Sequence, residues 1–255
     1  MYNNDITRST ILVADDHQDI LDFLAEDLGE HYDVVKANNG QEVLNLIADH
    51  HVDLIVSDIM MPYIDGYELC TRLKENISYS HIPFIMLTAK NNLQSKIEGL
   101  KYGADAYVEK PFSPSYLQAQ IDSLLRNRRH MRQHYSQSPI VPLNSIALNK
   151  SDRTFLEKLN RLILDNISEH SLCVDMLADN MNMSRPTLYR KIKALSDLSP
   201  NELINITRLK KAAELLLEGE LKIYEISTMV GFNSSSHFTR NFQKQFGVSP
   251  KEYAE

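Results

Sequence analysis

The chain has 255 residues, enough for one large domain or two modest ones, and its 43% hydrophobic and 24% charged residues exclude a mostly disordered protein. No stretch approaches the roughly 20 apolar residues of a membrane helix, and the opening MYNNDITRST has no hydrophobic signal core, so a cytoplasmic location is expected. Charge is divided: residues 1–127 carry 9 Lys and Arg against 20 Asp and Glu, residues 128–255 carry 18 against 14, and the second half is the better candidate for a polyanion partner.

In the first half, short apolar runs alternate with helical patterns. Residues 10–14, 32–37, 54–57, 84–87 and 106–108 read as buried strands. Between and after them, spacing near 3.6 predicts helices over residues 19–28, 41–49, 67–74, 92–102 and 114–128. Five strand–helix units in strict alternation imply an α/β doubly wound parallel five-stranded sheet with helices on both faces. The strand runs do not alternate with polar residues, as expected where both faces are covered.

Past Arg128 the pattern stops. Arg129 and Arg132 lead into Ser136-Gln137-Ser138-Pro139 and Pro142, which reads as a helix end and then a linker over residues 129–152. The expected division is thus 1–128, a linker, and 153–255. The last part shows only helical patterns, at residues 153–167, 174–181, 184–195, 200–218, 223–230 and 235–246.

That all-α part repeats itself. Ser199-Pro200 recurs fifty residues on as Ser249-Pro250, each with a Glu two residues after the proline. Leu188 and Ile192 are matched by Phe238 and Phe242 at the same spacing, and Leu177-Ala178 and Met183 by Ile226-Ser227 and Phe232. Two copies of a short helix, tight turn and longer helix are expected, joined by the helix at residues 200–218.

Chemistry gathers at one edge of the expected sheet. Asp15 and Asp16 follow the first strand, Asp58 the third, Thr88 the fourth and Lys110 the fifth. In a parallel doubly wound sheet these positions lie at the carboxyl ends, where ligands bind. Singly, an Asp after a strand is commonly a helix cap. Together, three carboxylates would repel unless a cation joined them, and a hard divalent ion such as Mg²⁺ suits such a set. Lys110 and the Thr88 hydroxyl could then hold a phosphoryl group's oxygens.

In the repeated part, Leu188, Ile192 and Leu195 form one side of a helix capped by Ser184, while Pro186, Tyr189, Arg190 and Lys193 fall opposite. In the second copy Phe238 and Phe242 face inward, and Ser236, Thr239, Arg240 and Gln243 face out. Two such helices on one rigid connector could enter successive segments of the major groove, about 34–36 Å apart. Arg185, Arg208, Lys210, Lys211 and Lys244 are candidate phosphate contacts around them. The pairs His50-His51 and His130…His134 lack an evident third metal ligand, and Cys70 and Cys173 fit no metal or redox spacing.

Residues 11–16, Ser57-Asp58-Ile59-Met60-Met61-Pro62 with Asp65-Gly66, Leu87-Thr88-Ala89, and Gly103 through Lys110-Pro111-Phe112 resemble a bacterial response-regulator receiver domain of the flavodoxin-like fold. The resemblance implies that Asp58 accepts phosphate from a histidine kinase. It implies Mg²⁺ at Asp15, Asp16, Asp58 and the Met60 backbone carbonyl. Thr88 and Tyr107 would form a switch pair, and Lys110 would contact the phosphate beside a cis Lys110–Pro111 bond. His17 is read as a first-turn helix residue, and Met60 and Lys90 stand where receivers tune phosphate lifetime.

Residues 153–255 resemble the arabinose-regulator (AraC) type of DNA-binding domain, with two helix-turn-helix units in one chain. Met183-Ser184-Arg185, Leu188-Tyr189-Arg190-Lys191, Leu198-Ser199-Pro200, Val230-Gly231-Phe232 and Phe246-Gly247-Val248-Ser249-Pro250 carry the likeness. It implies double-stranded DNA as partner, with Pro186, Tyr189 and Arg190 and then Ser235, Ser236 and Arg240 facing the groove. Ser227 and Tyr253-Ala254 depart from that pattern. The combination is most similar to the carboxyl-terminal part of hybrid two-component systems of Bacteroidetes, so the chain reads as a free regulator or as a fragment of such a system. The expected function is a response regulator, not a turnover enzyme, whose phosphorylation controls transcription, with a homodimer through the receiver or release of the second half as routes. A phosphohydrolase on small phosphate esters and a receiver that only dimerises are the alternatives.

Overall fold

The computed structural model describes residues 8–89 and 102–255. The chain divides into two compact units, Met1–Asn127 and Arg128–Glu255. In the first, β1 (Thr10–Ala14), β2 (Asp33–Ala37), β3 (Leu54–Asp58), β4 (Phe84–Ala89) and β5 (Ala106–Lys110) form one parallel sheet in the order β2-β1-β3-β4-β5. Helices α1 (Gln18–Gly29), α2 (Gly40–Asp49), α3 (Gly66–Glu75) and α4 (Pro114–Gln137) connect and follow the strands. The helix expected over residues 92–102 falls outside the described residues except at its last position, and Lys90 falls outside them too.

Side chains alternate across a strand, so each strand feeds two cores. Leu12, Ile55, Phe84 and Met86 pack with Val43, Ile47, Leu69 and Leu73 on one face. Ile11, Val13, Leu54, Val56, Ile85 and Leu87 pack on the other with Leu21, Leu24 and Leu28 of α1 and Leu117, Ile121 and Leu125 of α4. Strand β2, expected to be buried, is an edge strand with Asp33 and Lys36 exposed. Charges there blunt an edge that would otherwise pair with another chain.

Local chemistry sets the helix ends. Asn39 and Asp65 accept from the Glu42 and Glu68 amides and cap α2 and α3. A Cβ on Gly66 would stand 2.4 Å from the Asp58 carbonyl oxygen, so only glycine lets α3 start this close to the end of β3. Asp105 accepts from Lys74 Nζ at 2.7 Å and from the Phe84 amide at 2.8 Å, tying α3 and β4 to the start of β5.

The second unit begins inside α4. It continues through a 3-10 turn, Leu143–Ile146, then α5 (Lys150–Asp165), α6 (Val174–Met181), α7 (Arg185–Ser196), α8 (Pro200–Glu218), α9 (Ile223–Met229), α10 (Ser235–Phe246) and α11 (Pro250–Ala254). The stretch read from sequence as linker is largely packed. Helix α4 runs to Gln137 rather than ending near Arg128, and Tyr135, Leu143 and Ile146 are buried in the core of α5, α6 and α7. Single apolar anchors between Ser, Gln and Pro residues carry no periodicity, which is why they escape a pattern reading.

Helix α8 serves two cores: Leu203, Ile204 and Ile206 join the first copy, Leu209 through Leu216 the second with Ile226, Phe232, Phe238 and Phe242. The repeated Ser-Pro-x-Glu is a capping box at both places, Ser199 with Glu202 and Ser249 with Glu252. Both tight turns need left-handed backbone at matching positions, φ 53° at Asn182 and φ 80° at Gly231. Asp152 of α5 and Lys191 of α7 make an ion pair with both side chains fully buried, and the Lys191 ammonium lies 5.7 Å from the Phe155 ring centroid.

Two outcomes follow from these burials. Asp152→Ala leaves the Lys191 cation buried without that partner and is expected to lower the stability of this unit by about 3–5 kcal/mol, read from its guanidinium unfolding midpoint; a loss under about 1 kcal/mol would mean the pair is solvated. Cys70 is fully buried and desolvation pushes its thiol up to about 12, whereas Cys173 is exposed. An aromatic disulfide reagent should therefore titrate one thiol in the native chain and none in Cys173→Ser.

Candidate functional site

The sheet order reverses beside β1, and the crevice outside the carboxyl ends of β1 and β3 opens there. Asp58 is the last residue of β3 and Lys110 the last of β5, while Asp15 directly follows β1. Asp15 is fully buried and Asp58 nearly so. Lys110 Nζ lies 2.7 Å from Asp15 Oδ2 and 2.8 Å from Asp58 Oδ1, so one ammonium bridges both carboxylates. Burial works against the lysine's charge, yet hydrogen bonds to Asp15 and Asp58 outweigh it and hold its pKa above the usual range.

The opposite oxygen of Asp15 accepts from the His17 amide at 2.9 Å. The His17 ring lies beside it, with Nδ1 at 3.2 Å from Asp15 Oδ1 and 2.8 Å from Asp16 Oδ1. The Asp16 charge, then the hydrogen bond to Asp15, raise the imidazole above its ordinary value. Sequence reasoning set His17 in the first turn of α1; the structure makes it the residue before that helix and turns its ring onto the acidic pair. Among the described residues, Asp15, Asp16 and His17 form a group whose ligand atoms lie within 4.8 Å of one another.

Thr88, on β4, is buried and donates its hydroxyl to the Ala89 carbonyl at 3.2 Å. Tyr107, on β5, sits among the α3-side core with Tyr67 and Cys70, its hydroxyl buried with no hydrogen-bond partner among the described residues. Desolvation pushes that phenol well above its usual pKa. The Met60 side chain is exposed, and the Lys110–Pro111 peptide bond is cis. The expected residues of this edge thus lie on the strand ends where the alternation pattern put them, and His17 is the one that pattern did not assign to it.

In the second unit, Ser184 and Ser234 cap α7 and α10 by accepting from the Thr187 and His237 amides. Arg185, Pro186, Tyr189, Arg190 and Lys193 are exposed along α7, and Ser236 and Arg240 along α10. Ser235 is half-buried, with its hydroxyl 3.1 Å from that of Ser227. Arg185 pairs with Asp175 at 3.3 Å and Lys193 with Asp197 at 3.1 Å.

Two of the expected phosphate contacts are placed otherwise. Lys210 is buried and donates to the carbonyls of Tyr135, Ser138 and Val141 at 2.7, 2.8 and 2.7 Å, so its protons are already taken. Arg208 donates inward to the Glu169 carbonyl at 2.7 Å and is half-buried. A lysine on a helix reads as surface charge in sequence, and only the packed segment over it reveals the difference.

Residues 11–122 match the family described as response regulator receiver domain, and residues 177–255 match a helix-turn-helix domain family. Histidine kinase P4 of Formosa agariphila is 37% identical over 96% of this chain, which spans only 18% of that protein's length. Response regulator ArlR of Staphylococcus aureus is 33% identical over 68% of this chain and 74% of its own. The Francisella response regulator 1452 receiver domain is 40% identical over 47% of this chain and 98% of its own, with a TM-score of 0.43. Among the described residues, no helix is long and apolar enough to cross a membrane. The receiver match, the helix-turn-helix match later in the chain and the likeness to response regulator ArlR over 74% of that protein's length establish that the chain belongs to the response-regulator family.

Proposed function

We propose that Asp58 is a phosphoacceptor and that its phosphorylation by a histidine kinase controls sequence-specific binding of double-stranded DNA, and so transcription, by the helical unit. The observation that carries this reading is the Lys110 ammonium held between Asp15 and Asp58. A carboxylate whose oxygen lies 2.8 Å from an ammonium at a strand end is placed to act as an oxygen nucleophile toward phosphorus. In the transfer, an Asp58 oxygen forms the new P–O bond as the kinase histidine's P–N bond breaks. Lys110 then takes one phosphoryl oxygen, and the Thr88 hydroxyl, free to leave the Ala89 carbonyl, takes another.

The donor set at this edge fits a hard divalent cation. Asp15, Asp16 and Asp58, with the Met60 carbonyl, would hold Mg²⁺, an ion that takes oxygen ligands and neutralises phosphoryl charge when bound. The buried Tyr107 hydroxyl, without a partner among the described residues, supports the switch role of the Thr88–Tyr107 pair, since a polar group left unpaired favours a second position of the ring. In the helical unit, an AraC-type domain with Arg185, Pro186, Tyr189, Arg190 and Lys193 of α7, and Ser235, Ser236 and Arg240 of α10, would meet the groove. The exposed and capped N-terminal turns of both helices support that assignment. In this reading the region is a regulator rather than a turnover enzyme and acts in the cytoplasm, with pairing as a homodimer through the receiver or release of the helical unit as the two routes open to phosphorylation. The likeness to the Formosa kinase over 96% of this chain supports origin in a hybrid sensor of the Bacteroidetes type.

Intact mass after incubation with Mg²⁺ and a small-molecule phosphodonor should show one added phosphoryl, absent from Asp58→Ala and absent without Mg²⁺. No adduct, together with no response to beryllofluoride, would sink the phosphoacceptor. On a duplex selected by the chain from random sequence, Arg190→Ala should cost about 1–3 kcal/mol of binding and relax preference at one base position, measured by fluorescence anisotropy.

A further inference from the structure

Three elements of the helical unit converge on the last turns of α4 and the residues after it. Arg132 donates to the Ala194 and Leu195 carbonyls, at the C-terminal end of α7. Four residues on, the Ser136 carbonyl accepts from Gln245 Nε2 at 2.6 Å, in the last turn of α10. Between them, Lys210 of the connector α8 gives its protons to Tyr135, Ser138 and Val141. The Tyr135 ring lies beneath the ammonium, 3.9 Å from nitrogen to centroid, and is itself buried in the core of the first copy.

The chemistry of this junction is specific. The last four carbonyls of a helix have no partners within it, and they carry the negative end of its dipole. Lys210 and Gln245 satisfy the Tyr135 and Ser136 carbonyls of that set, and the phenol ring adds a cation–π face. An ammonium is the donor that this arrangement of three oxygens and one ring accommodates. Positions 132 and 136 share a face of α4, since residues four apart stand one above the other, and that face meets both α7 and α10. Both attachments are at helix C-termini, away from Arg185 and Ser236 at the opposite ends.

We propose that residues 132–141 are a brace that fixes α7 and α10 relative to one another, with Lys210 as its pin, and that the brace sets the half-site spacing the unit accepts. This rests on the DNA-binding reading above. Lys210, Arg132 and Gln245 are positioning residues: they act on DNA recognition through the two helices and touch no DNA. Without the brace, the two copies keep α8 and the approach of Gly231 to Ile167 and His170, and the distance and twist between the reading helices become softer.

The test uses the full chain and a duplex that the native chain selects from random sequence. Binding of native chain, Lys210→Met and Gln245→Ala is measured across a salt series and on duplexes with one or two base pairs inserted between the half-sites. Both variants should bind the selected duplex on the order of tenfold more weakly, with an unchanged salt slope and a flatter dependence on the insertion. A salt slope reduced by about 1 in Lys210→Met would make the lysine a phosphate contact and overturn the brace. An insertion profile identical to native in both variants would overturn it too. Gln245→Ala removes one hydrogen bond from a half-buried side chain, so it decides the question even if Lys210→Met fails to fold. If the native chain selects no duplex, the DNA-binding reading fails and the brace with it, a result distinct from selection with an unchanged profile.

Discussion

Parallel pairing points every strand of the sheet toward one edge, and the carboxylates following β1 and β3 must share it. Two buried carboxylates a few ångströms apart repel and cost stability unless a cation stands between them. Lys110 is that cation, delivered by the far end of the sheet because β5 is parallel to the rest and its last residue reaches the same edge. The constraint runs in both directions. The sheet topology gathers the charges, and their balance through Lys110 is what lets both carboxylates stay buried at that edge. Gly66 belongs to the same arrangement, because any side chain there would push α3 away from the Asp58 carbonyl and move the end of β3.

In the helical unit, backbone conformation does comparable work. Each copy turns through a left-handed residue, Asn182 in one and Gly231 in the other, and each longer helix ends on another, Asp197 and Gly247. Asn and Asp tolerate that region better than other side chains, and Gly without cost. The duplication therefore preserves dihedral angles where it does not preserve residue type. The second copy builds its core from Phe232, Phe238, Phe242 and Phe246 in edge-to-face and tilted contacts, where the first uses Leu188, Ile192 and Leu195.

Much of this was legible in the sequence because it is periodic. Strand runs, helix faces, the fifty-residue repeat and the strand-end Asp, Thr and Lys positions all follow from spacing alone. What escaped is what depends on single residues meeting across the fold. Tyr135, Leu143 and Ile146 sit in a Ser- and Pro-rich stretch with no period, and their burial exists only because α5, α7 and α8 offer a surface to receive them. The edge position of β2 was illegible for a related reason: a run of valines between Asp33 and Lys36 looks alike in the middle of a sheet and at its border. His17 is adjacent to the acidic pair in sequence, yet its ring direction is set by where α1 begins.

Lysines make the sharpest case. Lys191 and Lys210 are indistinguishable in sequence from solvated surface charges, and both point inward to named oxygens. Burial pushes the Lys210 amine down to about 8, the mark of an ammonium that three carbonyls have taken out of water. This alters the meaning of the charge split along the chain. The second half carries 18 Lys and Arg, but Lys191 and Lys210 are consumed inside it and Arg208 is turned toward Glu169. Fewer cations than the composition suggests remain for a nonspecific hold on phosphates, and that term scales with the number of phosphates neutralised. On the proposed DNA-binding reading, a larger share of recognition then falls on the exposed faces of α7 and α10, and the geometry between those two helices outweighs the net charge of the unit.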